Sequence, residues 1–230
     1  MTNTFDRVVS VVATGALLAL VGLIVRREGF SNAAIDGSGE RVPVLVREWT
    51  DILASSRSLF SAPVNAEKAQ IVVVEYSDLQ CPACRIFHES VLPELQREFG
   101  DQVEFRLAHF PLPSHPQSRH AAIAAECAAK QGKFGQYVQE TFARQDRLAQ
   151  LPWLELAEAV EITDLTNFSN CMSLADTSLI AASFARARRI GLKGTPAILV
   201  NGWRNLADPS AESLRRVLRA SLDTIGGGEE

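Results

Sequence analysis

The spacing of apolar and polar positions divides this chain into segments of different rhythm. From Val8 to Val25 there are 18 residues without a charge. As a helix they span roughly 27 Å, close to one hydrocarbon core, and they read as an N-terminal transmembrane helix within a membrane anchor at 1–28. Ser31-Asn32-Ala33 offers the small residues of a signal-peptide cleavage site. Arg26-Arg27-Glu28 separates them from the apolar run, however, and cleavage normally follows that run closely, so the uncleaved anchor is preferred. Residues 29–42 carry Asp36-Gly37-Ser38-Gly39 and no hydrophobic period, which predicts a flexible tether; residues 43–60 allow one short helix, completing an extension over 29–63.

The body, 64–230, begins with Ile71-Val72-Val73-Val74-Glu75-Tyr76, a continuous run suited to a strand over 70–76 buried on both faces. Residues 103–109 alternate as a second strand. Between them Ile86, Phe87, Val91, Leu92, Leu95 and Phe99 recur at helical spacing and Gly100 supplies a stop, predicting a helix over 84–99 that Pro93 should kink. After the Pro111–Pro116 turn segment, helical patterns cover 117–131, 134–147, 153–160, 165–172 and 177–190, with Asp176 as an N-cap for the last. Ala197-Ile198-Leu199-Val200 then reads as a strand, Asn201-Gly202 as a hairpin turn, and 211–222 as a closing helix. The predicted architecture is an α/β sheet domain with an all-helical insertion at about 111–191.

Composition narrows the functional class. A chain of 230 residues with 47% hydrophobic content can bury a real core, and a net charge of −4 without a block of like charges excludes a nucleic-acid groove. The four cysteines form a close pair and a distant pair, and even pairing suits an oxidising compartment. Cys127 and Cys171 are candidates for a structural bridge; the alternative is two buried free thiols acting as small hydrophobes.

The close pair carries the chemistry. Cys81-Pro82-Ala83-Cys84 stands between the first strand and a helix, and a sulfur at a helix N-terminus is stabilised as the thiolate that attacks disulfides. Cys81 is therefore the expected nucleophile and Cys84, one turn in, the resolving thiol. A structural disulfide or half a zinc site is the rival reading, and against zinc Cys127 and Cys171 do not form a second C-x-x-C. Glu75 interrupts an apolar run six residues earlier. It is either a buried acid that moves protons for the inner thiol or a strand-end glutamate that reaches solvent. Pro196, in Gly194-Thr195-Pro196, is either a cis residue presenting Thr195 backbone groups to an extended substrate or a trans residue opening an edge strand. His88 lies four residues after Cys84. A copper site on Cys81, Cys84 and His88 is possible in spacing, while a partly exposed surface histidine is the plainer reading. His109, His115 and His120 read as structural or solvated.

Taken together, Glu75 to Cys84, the Phe110-Pro111-Leu112 and His115-Pro116 segment, Cys127 to Phe134, and Gly194-Thr195-Pro196-Ala197 resemble the DsbA-like thioredoxin-fold oxidoreductases over roughly residues 64–222. The resemblance implies a thioredoxin fold with a helical insertion, Pro196 in cis, Glu75 as the buried acid, and Cys81 as the exposed attacking thiol. It also implies substrate proteins with thiols or disulfides, a location outside the cytoplasm, and a quinone-linked membrane partner that reoxidises the dithiol; no cofactor is named. By the positive-inside rule, Arg26 and Arg27 after the span place the body in the cytoplasm; the chemistry places it outside, rests on more residues, and is followed here. Ala83 departs from the family's strongest oxidants, which carry histidine there. That keeps a reductase or isomerase role open.

Overall fold

The computed structural model describes residues 34–35, 41–60, 70–150, 152–204 and 207–226. The 8–25 span lies outside them, and among the described residues no helix is long and apolar enough to cross a membrane. Within the expected tether, β1 (Ala34–Ile35) pairs antiparallel with β2 (Arg41–Val42).

The body is built on a six-stranded sheet of β3 (Val44–Leu45), β4 (Arg57–Ser58), β5 (Ile71–Ser77), β6 (Val103–His109), β7 (Ala197–Val200) and β8 (Trp203–Arg204), in spatial order β3-β8-β7-β5-β6-β4. Only β5 and β6 are parallel, joined by the helical connection that a parallel pair requires. The short outer strands β3 and β4, which the sequence reading missed, flank α1 (Trp49–Ala54). Asn201 and Gly202, both at positive φ, make the tight turn between β7 and β8, and Asn201 exchanges hydrogen bonds with the Val72 backbone. A Cβ on Gly202 would stand 3.2 Å from the Trp49 ring, so glycine also lets α1 close over the turn.

Because side chains alternate along a strand, β5 divides its run between two cores. Val74 and Tyr76 join Ile52, Ala108, Phe110, Ala187 and Leu199 on one face. Ile71 and Val73 join Cys84, Phe87, Leu92, Leu95 and the insertion on the other. Glu75 is in phase with Ile71 and Val73, which sends its carboxylate beneath the helix that follows Cys81.

That helix departs from the expected 84–99 in two ways. It starts at Pro82 as α2 (Pro82–Ile86), passes through a π-helical turn (Phe87–Val91), and resumes as α3 (Leu92–Phe99). Pro93 therefore sits in the first turn of α3, where a missing N–H costs little, and the wider π turn takes up the register that a kink was expected to absorb. Ile86, expected in the buried stripe, is 61% exposed because Cys84, Phe87 and His88 take the inward face.

The insertion comprises α4 (Ser118–Ala129), α5 (Phe134–Ala143), a 3₁₀ turn (Gln145–Arg147), α6 (Trp153–Ala159), α7 (Leu165–Leu174) and α8 (Ser178–Arg189); α9 (Ala211–Gly226) closes the domain. Thr177, not Asp176, is the N-cap residue of α8, although Asp176 Oδ1 still accepts the Ser178 N–H. Cys127 on α4 and Cys171 on α7 form a disulfide across 44 positions. Glu126, beside it, accepts two hydrogen bonds from Arg57 and stands 3.2 Å from His109, tying the insertion to both sheet strands.

Two stability outcomes follow. Replacing Cys127 and Cys171 together by Ala should lower unfolding stability by about 4 kcal/mol, the chain-entropy value for a loop of this length, in denaturant titrations without reductant. Burial works to raise the Glu126 carboxyl, but hydrogen bonds from His109 and Arg57 outweigh it and hold the group below its ordinary value of 4.5. A depressed carboxylate contributes stability above its unfolded pKa and loses it on acidification. Stability should therefore fall below about pH 4.5, and Glu126→Gln should flatten that acid limb.

Candidate active site

Strand β5 runs through Ser77 into a turn that delivers Cys81 to the N-cap of α2. Its backbone is extended there (φ −77°, ψ 122°), and Pro82 occupies the first helical turn without wasting a donor. Asp78 holds the turn together. Its carbonyl accepts the Cys81 N–H at 2.9 Å. Its buried carboxylate accepts the N–H groups of Gln80 (2.8 Å) and Leu112 (2.7 Å) and stands 2.8 Å from His115 Nδ1. From the insertion, Gln145 Nε2 donates to the carbonyls of Leu79 and Cys81, at 3.0 and 3.1 Å. Arg85 reaches Asp146 on the same 3₁₀ turn at 2.8 Å. Asp78 and Gln145 went unnoticed in the sequence. Asp78 sits two residues before Gln80 in a turn, the spacing at which an aspartate side chain binds its own backbone; Gln145 carries no such signal.

Both active-site cysteines are free thiols. Cys84 is fully buried, and Cys81 is only 7% exposed, less than the exposed attacking thiol that was expected. The reason is the loop before β7: the Thr195–Pro196 peptide is cis, and the Thr195 carbonyl lies 3.5 Å from Cys81 Sγ as its acceptor. Thr195 Oγ1 is buried without another partner, which leaves its hydroxyl available to a thiolate. Pro82 and Ala83 are exposed beside Cys81, with Ile86 on the same outer face. A groove of about 390 Å³ lined by Leu112, His115, Ile180 and Phe184 adjoins the loop that Asp78 holds.

The two sulfurs have opposite acidities. The Cys81 thiol is lowered from 9.0 to about 5 by a hydrogen bond from Cys84; burial opposes this, while Thr195 and the N–H groups of Cys84 and Ala83 reinforce it. The Cys84 thiol is pushed up, first by burial, then by its hydrogen bond to Cys81 and by the nearby Glu75 charge. One sulfur is thus a ready nucleophile and leaving group, and the other holds its proton.

Glu75 is a buried residue, 2% exposed, rather than a strand-end one. Its Oε2 lies 2.7 Å from His88 Nε2. His88 is itself 6% exposed, so the surface-histidine reading is corrected. Four residues after a fully buried cysteine, it shares the inward face. For the copper alternative on Cys81, Cys84 and His88, the structure sets Nε2 of the ring against Glu75 instead. Among the described residues no group of three His, Cys, Asp or Glu side chains is placed to hold a metal ion. His109 lies buried against Glu126, His115 against Asp78, and His120 is exposed. The structure therefore gathers Cys81, Cys84, Glu75, Thr195 and Pro196 in one place and leaves Cys127 and Cys171 in the insertion.

The model of the family described as thioredoxin matches residues 64–220. The chain belongs to the thioredoxin family. Within it the chain is DsbA-like in fold. It superposes on oxidised BdbD from Bacillus subtilis with a TM-score of 0.60 at 22% identity, covering 68% of this chain and 90% of that one. For alpha-DsbA1 of Wolbachia pipientis the TM-score is 0.58 at 20% identity, covering 70% and 91%. In sequence it is 28% identical over 168 residues to a probable disulfide bond formation protein D of Bacillus cereus, covering 68% of this chain and 76% of the relative. It is also 35% identical over 156 residues to a Na(+)/H(+) antiporter NhaA 1 of a Mycobacterium species, covering 66% of this chain. The match spans only 25% of that antiporter's length.

The acidity of Cys81 fixes a pH dependence. A thiol whose folded pKa is depressed stabilises the reduced protein fully above its unfolded value of 9.0, and that contribution disappears as pH falls to about 5. The stability of the reduced form relative to the disulfide form should therefore rise between about pH 5 and pH 9. Thiolate absorbance on titration of the reduced protein should show one midpoint near 5 that vanishes in Cys81→Ser.

Proposed function

We propose that this thioredoxin-family chain is a membrane-anchored thiol–disulfide oxidoreductase that acts outside the cytoplasm and passes the Cys81–Cys84 disulfide to folding proteins. The observation that carries the reading is the opposed acidity of two adjacent sulfurs beneath the Thr195 carbonyl. A substrate thiolate attacks Cys81 Sγ, and the bond to Cys84 breaks with its electron pair on Cys84, which takes up a proton. A second substrate thiolate then attacks the mixed disulfide, and Cys81 leaves as the stabilised thiolate.

Anything that stabilises the reduced form makes the disulfide a stronger oxidant. Thiolate pKa values of about 7 in thioredoxin and about 3.5 in DsbA bracket the Cys81 value, so donation of the disulfide is favoured even with Ala83 in place of histidine. The buried Cys127–Cys171 bridge supports an oxidising compartment, and the apolar 8–25 span supports attachment to the membrane. A quinone-linked membrane protein would return the dithiol to the disulfide.

The test is the reduction potential of the 81/84 pair in the full chain, equilibrated against glutathione. A value between about −200 and −120 mV is expected, and one at or below about −270 mV would make the protein a reductase. Cys81→Ser should abolish oxidation of a reduced test protein, and Cys84→Ser should accumulate mixed disulfides. Wild-type turnover by Cys81→Ser would end the assignment.

A further inference from the structure

The buried pair of Glu75 and His88 leaves one atom of each partner without a hydrogen bond: Glu75 Oε1 and His88 Nδ1. An acid and a base enclosed in apolar surroundings normally satisfy such atoms, and a polar group left bare is costly. The free atoms lie at opposite ends of the pair. On the inner side, the Glu75 charge acts on the Cys84 sulfur. On the outer side, His88 lines a cavity of about 240 Å³ with Phe60, Leu92, Gln96, Arg97 and Gln139. Gln96 Oε1 is also buried and unpartnered. A cavity of this volume with several polar groups has room for water. The His88 ring is fixed against Phe142, with centroids 4.4 Å apart, so its two nitrogens keep their separate directions.

We propose that His88 relays protons between this cavity and Cys84 through Glu75. The inference rests on the exchange chemistry proposed above and deepens it. When a substrate thiolate bonds to Cys81 Sγ, the Cys81–Cys84 bond breaks and its electron pair stays on Cys84. Glu75 Oε1, which makes no direct hydrogen bond to that sulfur, gives it a proton through an intervening water, and Glu75 recovers one at Oε2 from His88 Nε2. The ring in turn takes a proton from cavity water at Nδ1. One proton enters from solvent for the one bound at sulfur, no net charge accumulates in the core, and reoxidation runs the route in reverse. His88 touches neither sulfur and acts through Glu75. The elements packed around the ring also carry Arg85, Glu89, Glu94, Glu98 and Glu140, but the charged or titratable groups placed at the pair or its cavity are Glu75 on β5, Cys84 one turn earlier, and Arg97 in the cavity lining.

The experiment is the rate constant for reduction of the 81–84 disulfide by dithiothreitol from pH 5 to 9, in the full chain. His88→Gln keeps a donor toward Glu75 but cannot pass a proton through. It should slow reduction by about tenfold at pH 9, with the deficit shrinking toward pH 5. In a Glu75→Gln background the same substitution should add nothing; because the two side chains are in contact, it is the pH dependence of the deficit that separates a relay from a structural role. Equal rates for wild type and His88→Gln across the range, or equal slowing in both backgrounds, would overturn the relay while leaving the oxidoreductase reading intact. A wild-type disulfide inert to dithiothreitol would overturn both. If His88→Gln does not fold, Gln96→Leu, which strips a water partner from the cavity, decides the matter. Slowing at pH 9 but not at pH 5 supports the relay, and an unchanged rate at pH 9 rejects it.

Discussion

The site depends on one asymmetry: two sulfurs a helical turn apart experience opposite electrostatics. Cys81 sits where donors converge and the helix presents its positive end, and Cys84 sits where the core excludes water and Glu75 adds negative charge. Neither environment is a property of the C-x-x-C motif. Strand β5 must end so that Cys81 caps the helix, and the cis-proline loop must cover it with Thr195. The same strand must also carry Glu75 in phase with the face that the helix buries.

Much of this was legible in the residues. The β-branched run at 71–76, the alternation at 103–109, Asn201-Gly202 and the helical block each follow from local rules, and their order points to a sheet interrupted by helices. The placement of Glu75 was only partly legible: residues 71, 73 and 75 share a face by the period of two, but whether the carboxylate stays buried or reaches solvent depends on the strand running on to Ser77 and on which face receives the helix. His88 was misread for a physical reason. Its spacing from Cys84 puts both on one side of the helix, but that side is the core, and a buried histidine needs a partner that only the sheet supplies. The isomer of Pro196 was open to residue-level reading because it is settled by the tertiary position of the loop. Gln145 was out of reach for the same reason, since its partners lie 64 and 66 positions away.

The helical insertion is more than a cover over the sheet. Its disulfide joins α4 to α7, its Glu126 binds the sheet through Arg57 and His109, and its 3₁₀ turn touches the Cys81 carbonyl. A covalently braced body is thus connected to the reacting end of α2 by hydrogen bonds. Changes in the insertion can therefore be felt at Cys81 without altering the motif.

Asp78 gives the molecule a further property. One carboxylate, shielded from water, holds the Gln80 and Leu112 backbones and the His115 ring, while the carbonyl of the same residue holds Cys81. The groove wall at Leu112 and His115 and the nucleophile are consequently parts of a single rigid piece, clamped at one residue. The separation between that wall and the sulfur is therefore set by one residue, through hydrogen bonds from its side chain on one side and its carbonyl on the other.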